Sequence, residues 1–364
     1  MSLYLSILVC LSLAYIVSLS IKSKRCSLAL LLASLSLMAV PSGLRASSVG
    51  TDSAMYETIF THLQSGWRYC PVEIGYCQLN RLLASHSFNF QTVFIIESIV
   101  LYSALAYFIV QIINQKDWQF VVLLFYVMQC FFIAMNISRQ YFAISFCLIA
   151  YVLFLNKRYA SSFVFVIVAY LIHQTSVCVL LIPIIHRLIK IKGYKTLILI
   201  GYLGSLVIRI IGPSALFAPF LSIIPKYRVY LYSAAFTQAT SLSYSIITLA
   251  IPNSLFLYFL YTIFTSKNFS STLFASRENV IALSCSVAYI LSLNAFSGVM
   301  ALARFADYFL FGFIAFICIM TRNLDKKSGF FLRALIICGY GLMCIYFVFI
   351  VGYHEVIPYR IAEL

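Results

Sequence analysis

The chain has 364 residues, 63% of them hydrophobic and only 10% charged, and it carries a formal net charge of +15. Apolar runs follow one another from residue 2 to residue 353, which excludes a soluble globular domain. In a soluble protein such a charge would point to nucleic acid, but in a membrane protein Lys- and Arg-rich inner loops produce it, so no nucleic-acid partner is expected.

A membrane span needs about 20 apolar residues. In chain order the expected spans are 3–21, 27–41, 91–113, 118–137, 140–155, 196–212, 242–265, 279–298, 304–321 and 331–352. The stretch 160–185 is too long for one span and too short for two, and "HQTS" interrupts it at 173–176. It reads as two short helices meeting near the outer surface, or as a re-entrant pair. No alternating ten-residue pattern suggests a barrel. The expected fold class is all-α: a polytopic integral membrane protein with about ten full spans, the short helical pair, and a large outer loop at 42–90. A single membrane-embedded domain, 1–364, is expected, with a second outer loop at 213–241.

The first run has no basic residue ahead of it, and Lys22, Lys24 and Arg25 behind it. A cleavable signal peptide has the opposite order, so 3–21 reads as a span with its N-terminus outside. Inner loops then hold 16 cations and outer segments 9, in agreement with the positive-inside rule. Both flanks of 160–185 are basic, so that stretch must return to the inner side. Ten of the eleven lysines fall inside, whereas eight of the nine outer cations are arginine. Arginine presents a planar fork of donors that fits phosphate and carboxylate oxygens. The outer face therefore suits an anionic ligand held by geometry, or lipid headgroups.

In "FFIAMNISRQYFAISF" Arg139 lies between two back-to-back spans, so it sits near the outer surface and avoids the cost of a mid-bilayer charge. His173, at the break of 160–185, and Arg304, at the start of a span, reach the same level. In "ALARFADYFLF", Arg304, Asp307 and Tyr308 have the spacing of one helix face. The alternative there is an internal ion pair that eases insertion. The loop 42–90 adds Arg45, Gly50-Thr51-Asp52, Tyr56, Glu73 and Tyr76. Asp52 and Glu73 are candidate acid/base or hydroxyl-orienting groups, or solvated loop charges. Trp67 and Tyr69 are placed to lie on a sugar ring or at the headgroup level. Glu97 and Arg209, near the outer ends of apolar runs, are candidates to pair with outer-face charges. Histidine accepts a hydroxyl proton at neutral pH, although a lone His in such a place is more often a hydrogen-bonded structural residue. Most of the eleven cysteines lie in apolar runs. Cys70 and Cys77 instead lie in a polar loop facing an oxidising space, which permits a short disulfide around Glu73. The sequence shows no metal-ligand spacing, no Gly-rich phosphate loop and no internal repeat.

The stretch "MNISRQYFAISFCLIAYVLFLNKRYASSFVFVIVAYLIHQTS" resembles the core of the EpsG-like family, the Wzy-type surface-polysaccharide (O-antigen) polymerases. The match falls on Asn136, Arg139, Gln140, Lys157, Arg158 and His173. It extends to Arg45 with Gly50-Thr51-Asp52 and Tyr56, to Glu73 with Gly75-Tyr76, to Arg304 with Tyr308-Phe309, and to "IPYR" ending at Arg360. One departure is "VEIGY", where the family more often has Glu-Pro-Gly-Tyr; Ile74 stands in place of the proline.

The resemblance implies a multi-pass protein of the bacterial inner membrane with a periplasmic active face. Its implied activity joins undecaprenyl-diphosphate-linked oligosaccharide repeat units into O-antigen or capsule-type polysaccharide. It implies no cofactor and no metal dependence. Its implied partners are the lipid-linked oligosaccharide and membrane lipids, with a chain-length regulator and a flippase as further candidates. Arginines at the headgroup level would stabilise the charge that develops on a leaving diphosphate. Arg139 and Arg304 are assigned to that diphosphate and His173 is the first choice of base. Arg45, Asp52, Tyr56, Glu73, Tyr76, Gln140, Arg228, Tyr308 and Arg360 are assigned to substrate. A flippase or transporter is the first alternative, but it would favour midplane charges and two-fold repeats. A membrane acyltransferase is the second, with catalytic His and Arg in early spans that carry neither here.

Overall fold

The computed structural model describes residues 1–213, 216, 219 and 242–363. Arg228 and nearly all of the 213–241 loop lie outside the described residues. The chain divides into two compact units, Met1–Val177 with Arg333–Leu364, and Cys178–Leu332. The regular elements of the described residues are all helices, without a β-strand; an isolated antiparallel bridge joins Arg45 to Ile361.

The first unit opens with α1 (Ser2–Ser18) and α2 (Lys24–Leu44). Two 12-residue helices follow, α3 (Ser53–Gln64) and α4 (Ile74–Ser85), then α5 (Gln91–Ile112). The 42–90 segment, expected only as a loop, is thus largely helical. Tyr56, Ile59, Phe60 and Leu63 recur at helical spacing and form the buried face of α3. Next come α6 (Trp118–Val127) and α7 (Cys130–Asn136), bent by 53° at a short break where Gln129 has φ +67°. All ten residues of α6 are buried, which fits its apolar circumference. Then follow α8 (Ser138–Leu155) and α9 (Tyr159–Ile172). Helix α8 packs on α5 and α9, α5 on α2, and α1 on α2 and α6.

Hydrogen bonds define the two ends of this unit. At one end the C-terminal tail returns: Tyr4 Oη donates to the Val356 carbonyl (2.9 Å) and Ala46 N to that of Arg360 (2.9 Å). There too Gly50 N donates to the Glu355 carbonyl, 3.0 Å away. At the other end Gln115 Nε2 donates to Ser27 Oγ (2.9 Å) and Arg333 pairs with Asp117 (2.7 Å). The ends of α7 and α9, the start of α8, and α3 and α4 all belong to the first end.

The 160–185 stretch breaks where expected. Helix α9 stops at His173, whose backbone is extended (φ −152°, ψ 110°). A 3-10 segment, Gln174–Leu180, then leads into α10 (Leu181–Leu188). The second unit contains α10, α11 (Tyr194–Ile211), α12 (Leu242–Thr265), α13 (Lys267–Phe274), α14 (Arg277–Phe296), α15 (Met300–Ala303) and α16 (Asp307–Arg322). Helix α14 packs against α10, α11 and α16. Asn253 and Asn294 exchange side-chain amide hydrogen bonds of 2.8 and 2.9 Å, which satisfies two polar groups inside apolar helices. Arg209 donates to the Ser297 hydroxyl. The last helix is α17 (Lys326–Cys344).

Among the described residues, seven helices are long and apolar enough to cross a membrane, or eight if the bent α6–α7 pair is one span. The two other expected spans are also helical but shorter, α1 with 17 residues and α16 with 16. One expectation is corrected. Arg304 does not share a continuous helix face with Asp307 and Tyr308: it ends the four-residue α15, and α16 begins anew at Asp307. Tight turns, Phe305 N to the Leu302 carbonyl and Ala306 N to that of Ala303, interrupt the helix there.

Candidate functional site

Glu73 is the centre of the site. It immediately precedes α4 with an extended backbone (φ −65°, ψ 148°), so its side chain turns away from the helix. Gly75, in the first turn, lets α4 approach α9 closely: a Cβ there would lie 2.7 Å from the Leu171 carbonyl oxygen. That contact brings Glu73 to the end of α9, where the helix opens. Glu73 Oε1 lies 3.3 Å from His173 Nδ1 and accepts from Gln174 N at 3.3 Å. Cys70 and Cys77 form a disulfide with Cα atoms 6.2 Å apart, which closes a short loop around Glu73.

Arg139 reaches the other carboxylate oxygen. It stands in the first turn of α8, just after the break at Ile137 (φ −95°, ψ 52°), and its Nη1 donates to Glu73 Oε2. Its guanidinium carbon is 6.0 Å from the Tyr56 ring centroid and 5.9 Å from that of Tyr76. Those two rings lie 6.0 Å apart and both are buried. The Arg139, Glu73 and His173 side chains keep 15%, 11% and 16% exposure, so the ion pair is largely desolvated while an edge stays open.

The break that positions Arg139 is held from outside. Asn136 Oδ1 accepts from Thr51 Oγ1 (2.5 Å) and from Asp52 N (3.0 Å). Its Nδ2 therefore donates to His354 Nδ1, 3.3 Å away. Gly50 lies against this turn with φ +96°, and a Cβ there would lie 2.9 Å from the Met135 carbonyl oxygen. The Gly-Thr-Asp triplet thus grips the end of α7 through its backbone and the Thr51 hydroxyl.

Burial by itself would raise the Glu73 carboxyl. The hydrogen bond with His173, the charges of Arg139 and His173 and the Gln174 amide outweigh it and hold the group down at about 2. Glu73 is therefore an acceptor at any physiological pH. His173 Nδ1 must carry the hydrogen that faces it, which leaves Nε2 as the basic nitrogen of the neutral ring. Burial, then the charge of Glu97, pushes the Tyr76 hydroxyl upward, so it stays protonated as a donor.

A second polar layer lies beneath. Arg45 is only 2% exposed, donates to the Ser42 carbonyl and stacks over Phe94 with its guanidinium carbon 3.6 Å from the ring centroid. Glu97 on α5 is 4% exposed and interacts electrostatically with Arg45 and Arg139, with the Ser138 and Tyr76 hydroxyls facing it. Glu97 thus lies within electrostatic reach of Arg45 and Arg139, two of the cations it was a candidate to pair with.

Of the sequence-derived candidates, Arg139, His173, Glu73, Tyr56 and Tyr76 come together. Asp52 lies one layer out and joins the site through its backbone. Gln140 is buried beside Arg139 in sequence, 2% exposed. Arg360 is exposed and contributes its backbone carbonyl to Ala46 rather than its charge. Arg304 and Tyr308 belong to the second unit, where Arg304 interacts electrostatically with Asp307 and Tyr308 is fully buried. Sequence reasoning missed His354 and the backbone of Glu355. The signal available was "GYHE" directly after the last apolar run.

A bundle of apolar helices with a desolvated Arg–Glu–His cluster at one end defines a polytopic α-helical membrane protein with a built polar site. Within that class the chain belongs to the EpsG family, whose model matches residues 28–361. No curated protein and no solved structure matches it.

Proposed function

We propose that the protein is a polymerase that joins undecaprenyl-diphosphate-linked oligosaccharide repeat units at the periplasmic face of the bacterial inner membrane. Membership of the EpsG family and the many apolar helices support the broader reading, a membrane-embedded, glycosyltransferase-like polymerase of polysaccharide synthesis. The observation that carries the finer one is the Glu73 carboxylate held between Arg139 and His173.

In this reading His173 Nε2 takes the proton of the acceptor sugar hydroxyl as the new glycosidic C–O bond forms. The bond from the anomeric carbon to the donor phosphate oxygen breaks, and undecaprenyl diphosphate leaves with the electron pair. Glu73 orients the imidazole and stabilises its protonated form. Arg139 faces the negative charge that develops on the leaving diphosphate. Its Nε is buried, so contact with the phosphate falls to the Nη groups at the site's open edge. Tyr56 and Tyr76 hold the guanidinium plane. Arg304 is assigned a phosphate-binding role on sequence grounds. The charge is given to arginines rather than to a metal ion, and no cofactor is invoked.

The test is the surface-polysaccharide ladder of a deletion strain. Lipid A core capped with a single repeat unit is the expected result. Loss of all repeats would instead mean a flippase, and an intact ladder with altered acylation would mean an acyltransferase.

A further inference from the structure

The second unit carries a pocket lined by residues that the proposed reaction does not use. The turn between α10 and α11 and the connection between α13 and α14 line an open pocket of about 580 Å³. Its lining includes Lys190, Lys192 and Arg277 and no carboxylate. No ion pair to these three cations is present among the described residues. Lys190 and Arg277 both act electrostatically on His186, so their charges converge on one region.

The cavity stands where two candidate spans begin, α11 at Tyr194 and α14 at Arg277. That is the headgroup level of a bilayer whichever side it faces. Helix α14 is 20 residues long and starts at this cavity, and Ser276 already accepts from Asn279 N at 3.2 Å. The N–H groups of Arg277 and Glu278 complete this first turn, which also carries the Glu278 carboxylate. The Tyr194 hydroxyl, on another lining residue, is buried without a hydrogen-bond partner. Apolar side chains flank the cations: Ile191 is 50% exposed and Phe274 37% exposed, with exposed Ile200 further along α11.

We infer that this cavity binds a phosphate-bearing lipid headgroup, with Lys190, Lys192, Arg277 and the Tyr194 hydroxyl around the phosphate and acyl chains along Ile191 and α11. The ligand chemistry is a phosphodiester. A free phosphate shares the anionic part, but it gives the apolar flank no role. The inference does not depend on the polymerase reading, since it concerns lipid binding and not turnover.

The test uses purified full-length protein in nanodiscs of phosphatidylcholine, with labelled phosphatidylglycerol titrated in. Lys190→Gln/Lys192→Gln/Arg277→Gln is to weaken phosphatidylglycerol binding roughly 100-fold, from about fivefold per cation at a lipid surface. Lys326→Gln/Lys327→Gln, in another basic turn, is to leave it unchanged. Equal binding by the triple variant and the wild type would overturn the site. Competition by millimolar inorganic phosphate would overturn the lipid as the source and leave a soluble phosphate in its place. Should the triple variant not accumulate, Lys192→Gln, an exposed side chain, is to lower affinity several-fold, and no change would count against the site.

Discussion

Glu73 and His173 are 100 residues apart in sequence, yet Oε1 of one lies 3.3 Å from Nδ1 of the other. Neither side chain could hold this position from its own element. Glu73 projects from the start of a short helix that ends no span, and His173 from the open end of another. The Gly75–Leu171 backbone approach is what joins them.

Arg139 tests the value of fork geometry. One guanidinium nitrogen is committed to Glu73, and in the proposed reading another faces the substrate phosphate. Arg139→Lys keeps the charge and loses the second donor direction. It is expected to reduce polymer about 10- to 100-fold, close to Arg139→Ala, the scale of one charged hydrogen bond. The readout is the polysaccharide ladder normalised to membrane-inserted protein. A normal ladder from Arg139→Ala at equal expression would remove Arg139 from the chemistry.

Glu73→Gln removes the charge while keeping the shape. It is expected to lower polymer yield by about 10- to 100-fold, because His173 loses a charged orienting partner. The pH dependence follows from the sign of the shift. The folded value, about 2, lies below the ordinary 4.5, so ionised Glu73 stabilises the fold fully above 4.5. That contribution fades as pH falls through about 2. Melting of wild type and Glu73→Gln in detergent should therefore differ throughout pH 5 to pH 8. A difference that collapses within that window would contradict the assignment.

Gly75→Ala separates helix propensity from packing. In an isolated helix the change would be favourable by about 1 kcal/mol. Here the new Cβ would lie 2.7 Å from a carbonyl oxygen of another helix. The expected result is a loss of about 1–3 kcal/mol and a weakened ladder. Ile74→Pro is the control. Position 74 is the first residue of α4, and Glu73 before it already has the extended backbone that a proline requires. It is expected to be neutral or mildly stabilising by thermal melting, with a normal ladder.

Sidedness can be checked by reporter fusions. Fusions after Arg25, Arg158, Lys195 and Lys327 are expected to read cytoplasmic. Fusions near Glu73 and at the C-terminus are expected to read periplasmic together, since Gly50 and Ala46 hydrogen-bond to the tail. Opposite readings for those two positions would contradict the fold of the first unit, and a periplasmic reading after Lys195 would contradict the return of 160–185.

Much of the helical layout was legible in the chain. Long apolar runs have few stable states in a bilayer, because every backbone polar group must be paired within the segment. For the same reason the interruptions at Asn136–Ser138 and at His173 stood out: polar residues there end apolar helices. The helices α3 and α4 were harder to see. They are amphipathic and only 12 residues long, and a run of that length resembles an ordinary loop beside the spans.

The candidate site was legible in its residue types and not in its pairings. Arg139, His173 and Glu73 could be picked out one by one, as charges that did not fit their apolar surroundings or as acids in a polar loop. Arg304, Asp307 and Tyr308 show the limit, since their spacing fits one helix face and the backbone turns between them. The tail shows it again. His354 and Glu355 follow the last apolar run with nothing to mark a partner, and they find Asn136 and Gly50 across the fold.

The sequence by itself determined the class of protein and the positions of most of its apolar helices, because hydrophobicity acts locally and along the chain. Tertiary structure alone decided that Glu73 is a desolvated, ionised link between Arg139 and His173 rather than a solvated loop charge. Desolvation and hydrogen bonding depend on which atoms meet, and those meetings were set by backbone approaches at Gly50 and Gly75 that no local pattern encodes.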